Sequence, residues 1–268
     1  MIDYPCLNHE PRSEGAQVDM LVLHYTGMES PEAALDRLCD PAQKVSAHYM
    51  IDEDGSVFRL VPEERRAWHA GLACWRGDRD INDRSIGIEL VNPGHDLGYR
   101  PFPEEQMAAV ERLAREILDR RAIPPERVLG HSDVALARKC DPGELFDWAR
   151  LARAGVGLWP PDFDTAEGRA RARERAEGRA RARERAEGRA REHAGERRFD
   201  PDATDPLIGE VQRGLARFGY EIQATGRLDE PARRVVAAFQ RHFRPSRVDG
   251  LIDSETARRL EALLAMAG

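Results

Sequence analysis

The chain has 268 residues, of which 41% are hydrophobic and 33% charged, and its 41 basic and 48 acidic side chains leave a formal net charge of −7. That balance argues against a dedicated nucleic-acid binder. No uninterrupted apolar stretch approaches the roughly 20 residues that a membrane-spanning helix needs. The opening MIDYPCLNHEPRSEG lacks a basic segment followed by an apolar one, so no secretory signal is expected. The cysteines Cys6, Cys39, Cys74 and Cys140 stand singly, without a CxxC pair. This pattern argues against a zinc ribbon or disulfide framework and reads as mostly buried or idle thiols in a reducing setting.

In chain order, residues 18–24 (VDMLVLH) form an apolar, β-leaning run. Residues 49–60 read as a hairpin turning at Asp54-Gly55, and 85–91 (SIGIELV) as another strand. Residues 103–121 carry Met107, Val110, Leu113, Ala114, Ile117 and Leu118 on one helical stripe. A short strand begins at Val128 and ends at His131, and 144–153 reads as helix. Alternating strands and helices predict a mixed α/β domain over residues 1–160.

A ten-residue repeat follows: AEGRARARER runs over 166–175, recurs over 176–185 and decays over 186–195. Ala, Arg and Glu favour helix, but a glycine recurs in each repeat and no apolar residue larger than Ala is present. With nothing to bury, residues 161–204 read as a tether, and the glutamates that interrupt the arginines argue against a grip on an anionic polymer.

Residues 205–268 are helical throughout in pattern. Val211, Leu215 and Phe218 share a stripe that stops at Gly219. Two later segments open alike, Gly226-Arg227-Leu228-Asp229 and Gly250-Leu251-Ile252-Asp253, and each Asp is a candidate N-cap. The expectation is a small three-helix bundle.

A residue at a strand end has a fixed position facing solvent, which suits a metal ligand. His24 closes one strand, His131 closes a later one, and Asp141 follows ten residues on. Three ligands of the His, Asp, Glu or Cys type are what zinc takes when it keeps an open position. In SIGIELVN, Glu89 points away from Ile86, Ile88 and Leu90. A carboxylate in so apolar a strand needs a polar partner, and two readings stand: an ion pair with an arginine, or a general base beside a metal.

The segments LVLHYTG, SAHYMID, RAWHAG, NDRSIGIELVN, VLGHSDVA and RKCDPG, in this order, resemble the zinc-dependent N-acetylmuramoyl-L-alanine amidases. The likeness is to the AmiD/AmpD-type branch of the amidase type 2 (peptidoglycan-recognition-protein-like) fold and covers residues 5–155. Separately, VQRGLARFGY, TGRLD, AAFQRHFRP and VDGLIDSETARRL resemble the three-helix peptidoglycan-binding domain type 1 over residues 207–265.

The resemblance implies that His24, His131 and Asp141 hold Zn2+, that Glu89 is the general base and that Lys139 steadies the transition-state oxyanion. Lys139 is one of two lysines in the chain. Related phage amidases use a cysteine as third ligand, but at the position two residues after the lysine, which is Asp141 here; Cys140 is therefore not the expected ligand. Tyr25, Thr26, Trp68 and His69 are candidates for contact with substrate, against a reading of Trp68 and His69 as packing and loop-holding residues. His48 is either a support behind the ligands or structural, and His95 is assigned no role.

The implied activity is hydrolysis of the amide between the lactyl group of N-acetylmuramic acid and L-alanine of the stem peptide, with peptidoglycan or muropeptides as partner and a monomer as the expected state. A non-catalytic peptidoglycan binder is the alternative. The lack of a signal favours the cytoplasm, and an intact-sacculus substrate favours the envelope.

Overall fold

The computed structural model describes residues 1–160 and 198–267 and divides into two compact units, Met1–Leu158 and a second within Trp159–Gly268. The ten-residue repeats at 166–195 lie outside the described residues.

The first unit is built on strands β1 (Ile2–Asp3), β2 (His9–Pro11), β3 (Met20–Tyr25), β4 (Tyr49–Ile51), β5 (Val57–Arg59), β6 (Arg65–Ala67), β7 (Ser85–Leu90) and β8 (Val128–Gly130). Six of them form one mixed sheet in the order β1-β5-β4-β7-β3-β8, while β2 and β6 pair separately. Strands β4, β7, β3 and β8 run parallel, and β4 and β5 form the antiparallel hairpin that the sequence predicts, with Gly55 at φ 83° in its turn. Parallel strands are covered on both faces and read as continuous apolar runs. Accordingly Met20, Leu21, Val22 and Leu23 are wholly inaccessible, as are Ile86 and Ile88.

Helices α1 (Pro31–Cys39) and α4 (Glu104–Arg120) flank the sheet; α2 (Ile81–Arg84), α3 (Gly94–Leu97) and α5 (His131–Val134) are single turns, and α6 spans Trp148–Arg153. Ser30 caps α1 by accepting the amide of Ala33. On α4 the predicted stripe is buried from Met107 to Ile117. Gln106, hidden beside that stripe, donates to the carbonyls of Ile51 and Val91 at 3.0 Å, fixing the helix across two strand ends. The helix expected over 144–153 starts only at Trp148, capped by Asp147. The preceding residues are held as turns around Tyr99, whose hydroxyl donates to Pro142 O at 2.7 Å and accepts from Leu145 N at 3.0 Å.

The second unit contains α7 (Pro206–Phe218), α8 (Glu230–Phe243) and α9 (Ser254–Met266), the expected three helices. Asp229 and Asp253 cap α8 and α9 by accepting the amides of Ala232 and Thr256. The likeness between the two preceding segments extends to their support. Gln212 accepts from Gly226 N and donates to Arg227 O, both at 2.8 Å. In the same way Gln240 accepts from Gly250 N at 2.8 Å and donates to Leu251 O at 2.9 Å. Gly250 lies at φ 68°, and a Cβ there would meet Arg233 O at 2.8 Å, so both conformation and space require glycine. Residues 198–204, which composition places in the tether, bond to this unit through Phe199 N to Ile252 O and Asp202 N to Leu228 O.

Candidate metal centre and active site

In sheets of this kind, sites form outside the carboxyl ends of parallel strands. His24 is the penultimate residue of β3, Glu89 the penultimate residue of β7, and His131 directly follows β8. The parallel register places His24 opposite Glu89, so their side chains leave the same face. Asp141 reaches the same point because its carbonyl accepts from Ser132 N at 2.9 Å, folding the 131–141 segment back on itself.

The three predicted ligands converge and are buried. His24 Nδ1 and His131 Nδ1 are 2.9 Å apart, and Asp141 Oδ2 lies 3.2 Å from the first and 3.0 Å from the second. Each remote nitrogen is occupied. His131 Nε2 donates to Ala70 O at 3.0 Å, and His24 Nε2 meets His69 Nδ1 at 3.0 Å. Both histidines therefore turn Nδ1 inward. Two ring nitrogens and a carboxylate oxygen face one another closely enough to hold a cation among them. Two imidazoles and a carboxylate form a donor set that suits a divalent metal.

Electrostatics agree with that arrangement. Burial, followed by the neighbouring His131, pushes His24 down to about 4, which keeps its imidazole neutral near pH 7. Burial raises Asp141, but the imidazoles of His131 and His24 outweigh it and hold the carboxyl well below its ordinary range. Glu89 behaves oppositely: burial first, then the charge of Asp141, lift it well above an ordinary glutamate, while Lys139 pulls it partly back. Its Oε2 is buried and has no hydrogen-bond partner among the described residues. The arginine ion pair that the sequence left open for Glu89 is absent among those residues. Lys139 itself is exposed, and its charge acts on Glu89.

The four candidate substrate contacts separate. Tyr25 is half-buried, its hydroxyl 3.0 Å from His95 Nδ1 and 3.2 Å from Cys140 Sγ. Thr26 Oγ1 bonds to Asn92 O at 3.3 Å, and the Trp68 indole donates to Glu10 at 3.1 Å, so both are used within the fold. His69 is buried beside His24, whose Nε2 it meets at 3.0 Å, and its own Nε2 meets Ser85 Oγ at 3.1 Å, the arrangement of the structural reading that the sequence also offered. Gly87 of β7 provides the space: a Cβ there would meet the His69 ring at 2.5 Å. His48 is buried too, accepting from Gly87 N at 2.9 Å.

Sequence reasoning missed the 92–99 segment. His95 stacks on Tyr99 with ring centres 4.2 Å apart and reaches Glu144 at 3.2 Å, bracing the turn that carries Asp141. A histidine and a tyrosine four residues apart in GHDLGY were the available signal.

The profile described as N-acetylmuramoyl-L-alanine amidase matches residues 14–144, and that of a putative peptidoglycan binding domain matches residues 204–260. The chain is 36% identical to the N-acetylmuramoyl-L-alanine amidase AmiD of Escherichia coli K12, over 94% of its own length and 84% of that protein. Its fold matches E. coli AmiD in complex with the substrate anhydro-N-acetylmuramic acid-L-Ala-D-gamma-Glu-L-Lys, with a TM-score of 0.73, 34% identity, and 96% and 93% of the two chains covered. AmpDh3 of Pseudomonas aeruginosa in complex with anhydromuramic pentapeptide matches with a TM-score of 0.72 and 33% identity, covering 93% and 92%.

Fold and site together define an amide hydrolase whose His-His-Asp cluster is compatible with a metal. The chain belongs to the N-acetylmuramoyl-L-alanine amidase family. It is accordingly an enzyme, not the non-catalytic binder that the sequence left as the alternative.

Proposed function

We propose that the protein is a zinc-dependent amidase in which His24, His131 and Asp141 hold the ion, Glu89 is the general base and Lys139 stabilises the oxyanion. The observation that carries this reading is the convergence of two Nδ1 atoms and one carboxylate oxygen beside the unpartnered Oε2 of Glu89. When bound, zinc supplies Lewis acidity and makes water nucleophilic near neutral pH.

The chain's own groups account for the remainder. Glu89, with its raised proton affinity, accepts a proton from the attacking water and returns it to the L-alanine nitrogen as the lactyl carbon–nitrogen bond breaks. The exposed ammonium of Lys139, whose charge acts on Glu89, is assigned to the charge that develops on the carbonyl oxygen. No covalent intermediate is required, so no serine or cysteine nucleophile has a part. Tyr25, half-buried at the end of β3, and the partly exposed Thr26 and Trp68 are the candidates for contact with substrate.

By similarity to relatives seen with anhydromuramyl peptides, muropeptides of that kind are the proposed substrate. The C-terminal unit is proposed to retain the enzyme on peptidoglycan, with the stretch between the units acting as a tether that raises local substrate concentration. The test is mass spectrometry of sacculi and of soluble anhydromuropeptides after incubation with the zinc-loaded protein and with a chelated control. Stem peptides beginning at L-alanine, lost on chelation, support the reading. Equal release with and without chelator overturns the zinc dependence, and no release from either substrate overturns the substrate assignment.

A further inference from the structure

Behind His24 runs a chain of hydrogen bonds whose direction can be settled from its far end. Ser85 Oγ lies 2.6 Å from the carbonyl oxygen of Ile81, which can only accept, so the single hydroxyl proton points there. This is the local bond from a serine to the carbonyl four residues earlier, at the end of the one-turn helix α2. Ser85 Oγ must then accept from its other neighbour, His69 Nε2, at 3.1 Å. With its proton on Nε2, neutral His69 presents a lone pair at Nδ1, which lies 3.0 Å from His24 Nε2. His24 therefore donates from Nε2, and its own lone pair is at Nδ1, the atom that faces His131 and Asp141.

The parts of this relay are fixed from several sides. Ser85 and His69 are both buried. Arg12 donates to Ser85 O at 2.9 Å and to the carbonyls of Asn82 and Asp83, holding the end of α2 in place. Asn82 Oδ1 accepts from His69 N at 3.0 Å and Ala70 N at 2.8 Å, which fixes the backbone beneath the His69 ring.

We propose that Ser85 is a positioning residue for metal binding: its hydroxyl dictates the proton position on His69 and, through it, the tautomer of His24 that leaves Nδ1 free for the ion. The inference rests on the reading of His24 as a zinc ligand. Without the hydroxyl, His69 can carry its proton on Nδ1, and His24 then answers with a protonated Nδ1 that no cation can use. Partners of metal-binding histidines typically change metal affinity by about 10–100-fold; Ser85 stands one residue further back, and about tenfold is expected.

The experiment measures zinc affinity of the full chain by competition with a chromophoric chelator, for wild type, Ser85→Ala, His69→Asn, the double variant and His24→Ala. The shorter side chain in His69→Asn keeps an acceptor near His24 but does not reach Ser85. Ser85→Ala should weaken zinc binding about tenfold in the wild-type background and leave it unchanged in the His69→Asn background, a coupling read directly from the cycle. An unchanged affinity in Ser85→Ala overturns the proposal, as does an equal loss in both backgrounds, which marks a merely structural role. Nitrogen-15 spectra of the metal-free wild type give an independent reading: His69 and His24 should both carry the proton on Nε2, and a proton on Nδ1 of His69 refutes the relay. If His24→Ala binds zinc as tightly as wild type, the ligand assignment itself fails, a result separable from failure of the relay.

Discussion

Gly87 offers a severe test of the packing behind the site. A Cβ there would lie 2.5 Å from His69 Cγ, 2.7 Å from Cδ2 and 2.8 Å from Nδ1, so ordinary contact at 3.4 Å requires the ring to retreat by about 0.9 Å. The ring has no such freedom, being bonded at 3.0 Å to His24 and at 3.1 Å to Ser85. Overpacking a core costs about 1–3 kcal/mol, and weakening two buried hydrogen bonds adds about 1–3 kcal/mol. Gly87→Ala should therefore cost about 3 kcal/mol, which lowers the melting temperature of a unit this size by about 6–12 °C. Scanning calorimetry of the chelated full chain reads this without a contribution from bound metal. Gly87 lies in a strand, where alanine is otherwise favoured over glycine by about 0.5–1 kcal/mol. In a His69→Ala background the same substitution should then be neutral or stabilising. An equal loss in both backgrounds, or none in the wild type, would refute the argument that Gly87 exists to admit His69.

Other predictions concern chemistry, acid sensitivity and the second unit. Glu89→Gln should lower kcat/KM by about 10²–10⁴-fold while zinc content, read by atomic emission, stays at the wild-type level. His48 is held down to about 3 by burial, then by Arg12, and His24 to about 4, against an ordinary value of 6.5. The unfolded state thus binds more protons below pH 6.5, and stability is full above that pH and falls towards pH 4. The slope is about 1.4 kcal/mol per pH unit per histidine. Chemical denaturation of the chelated protein across this range should show His48→Asn with a slope shallower by about one such increment. In the second unit, Asp253 caps α9 and accepts from the buried Arg244 at 2.5 Å, whereas Asp229 only caps α8. Asp253→Ala leaves that guanidinium with longer approaches alone, 3.4 Å to Thr256 Oγ1 and 3.5 Å to Glu255 and to Arg247 O, and should cost about 2–4 kcal/mol, against about 1 kcal/mol for Asp229→Ala, compared by thermal melts.

What the sequence disclosed follows the strength of local signals. Strands β3 and β7 and helix α4 are long and sharply patterned, so their extents could be read from periodicity, whereas the roles expected of His24 and Glu89 came from the family resemblance. The Asp caps of α8 and α9 announce themselves because capping is local chemistry. Strands β1, β2 and β6 are two or three residues long and exist only through their partners, so no run of residues encodes them. The same holds for α2, whose importance lies in Ser85 and Asn82 bonding to a segment more than ten residues earlier. His69 illustrates the limit: its motif was visible, but whether it faced substrate or ligand depended on a glycine in another strand. The glutamines behind Gly226 and Gly250 were invisible for a related reason, since each reads as an ordinary polar residue until the loop it clasps is folded onto it.

The pairing of His24 with Glu89 across two parallel strands has a consequence for how such an enzyme can change. Their separation is set by the spacing of neighbouring strands, about 4.8 Å, and by register, which cannot shift by one residue without sending the carboxylate to the opposite face. The sheet therefore serves as a ruler that no loop can stretch. The 131–145 and 92–99 segments, which carry His131, Asp141 and the His95–Tyr99 brace, are connections held by individual bonds rather than by a strand ladder. Accommodation of a different stem peptide can thus be sought in those connections while the distance between Glu89 and His24 stays the same.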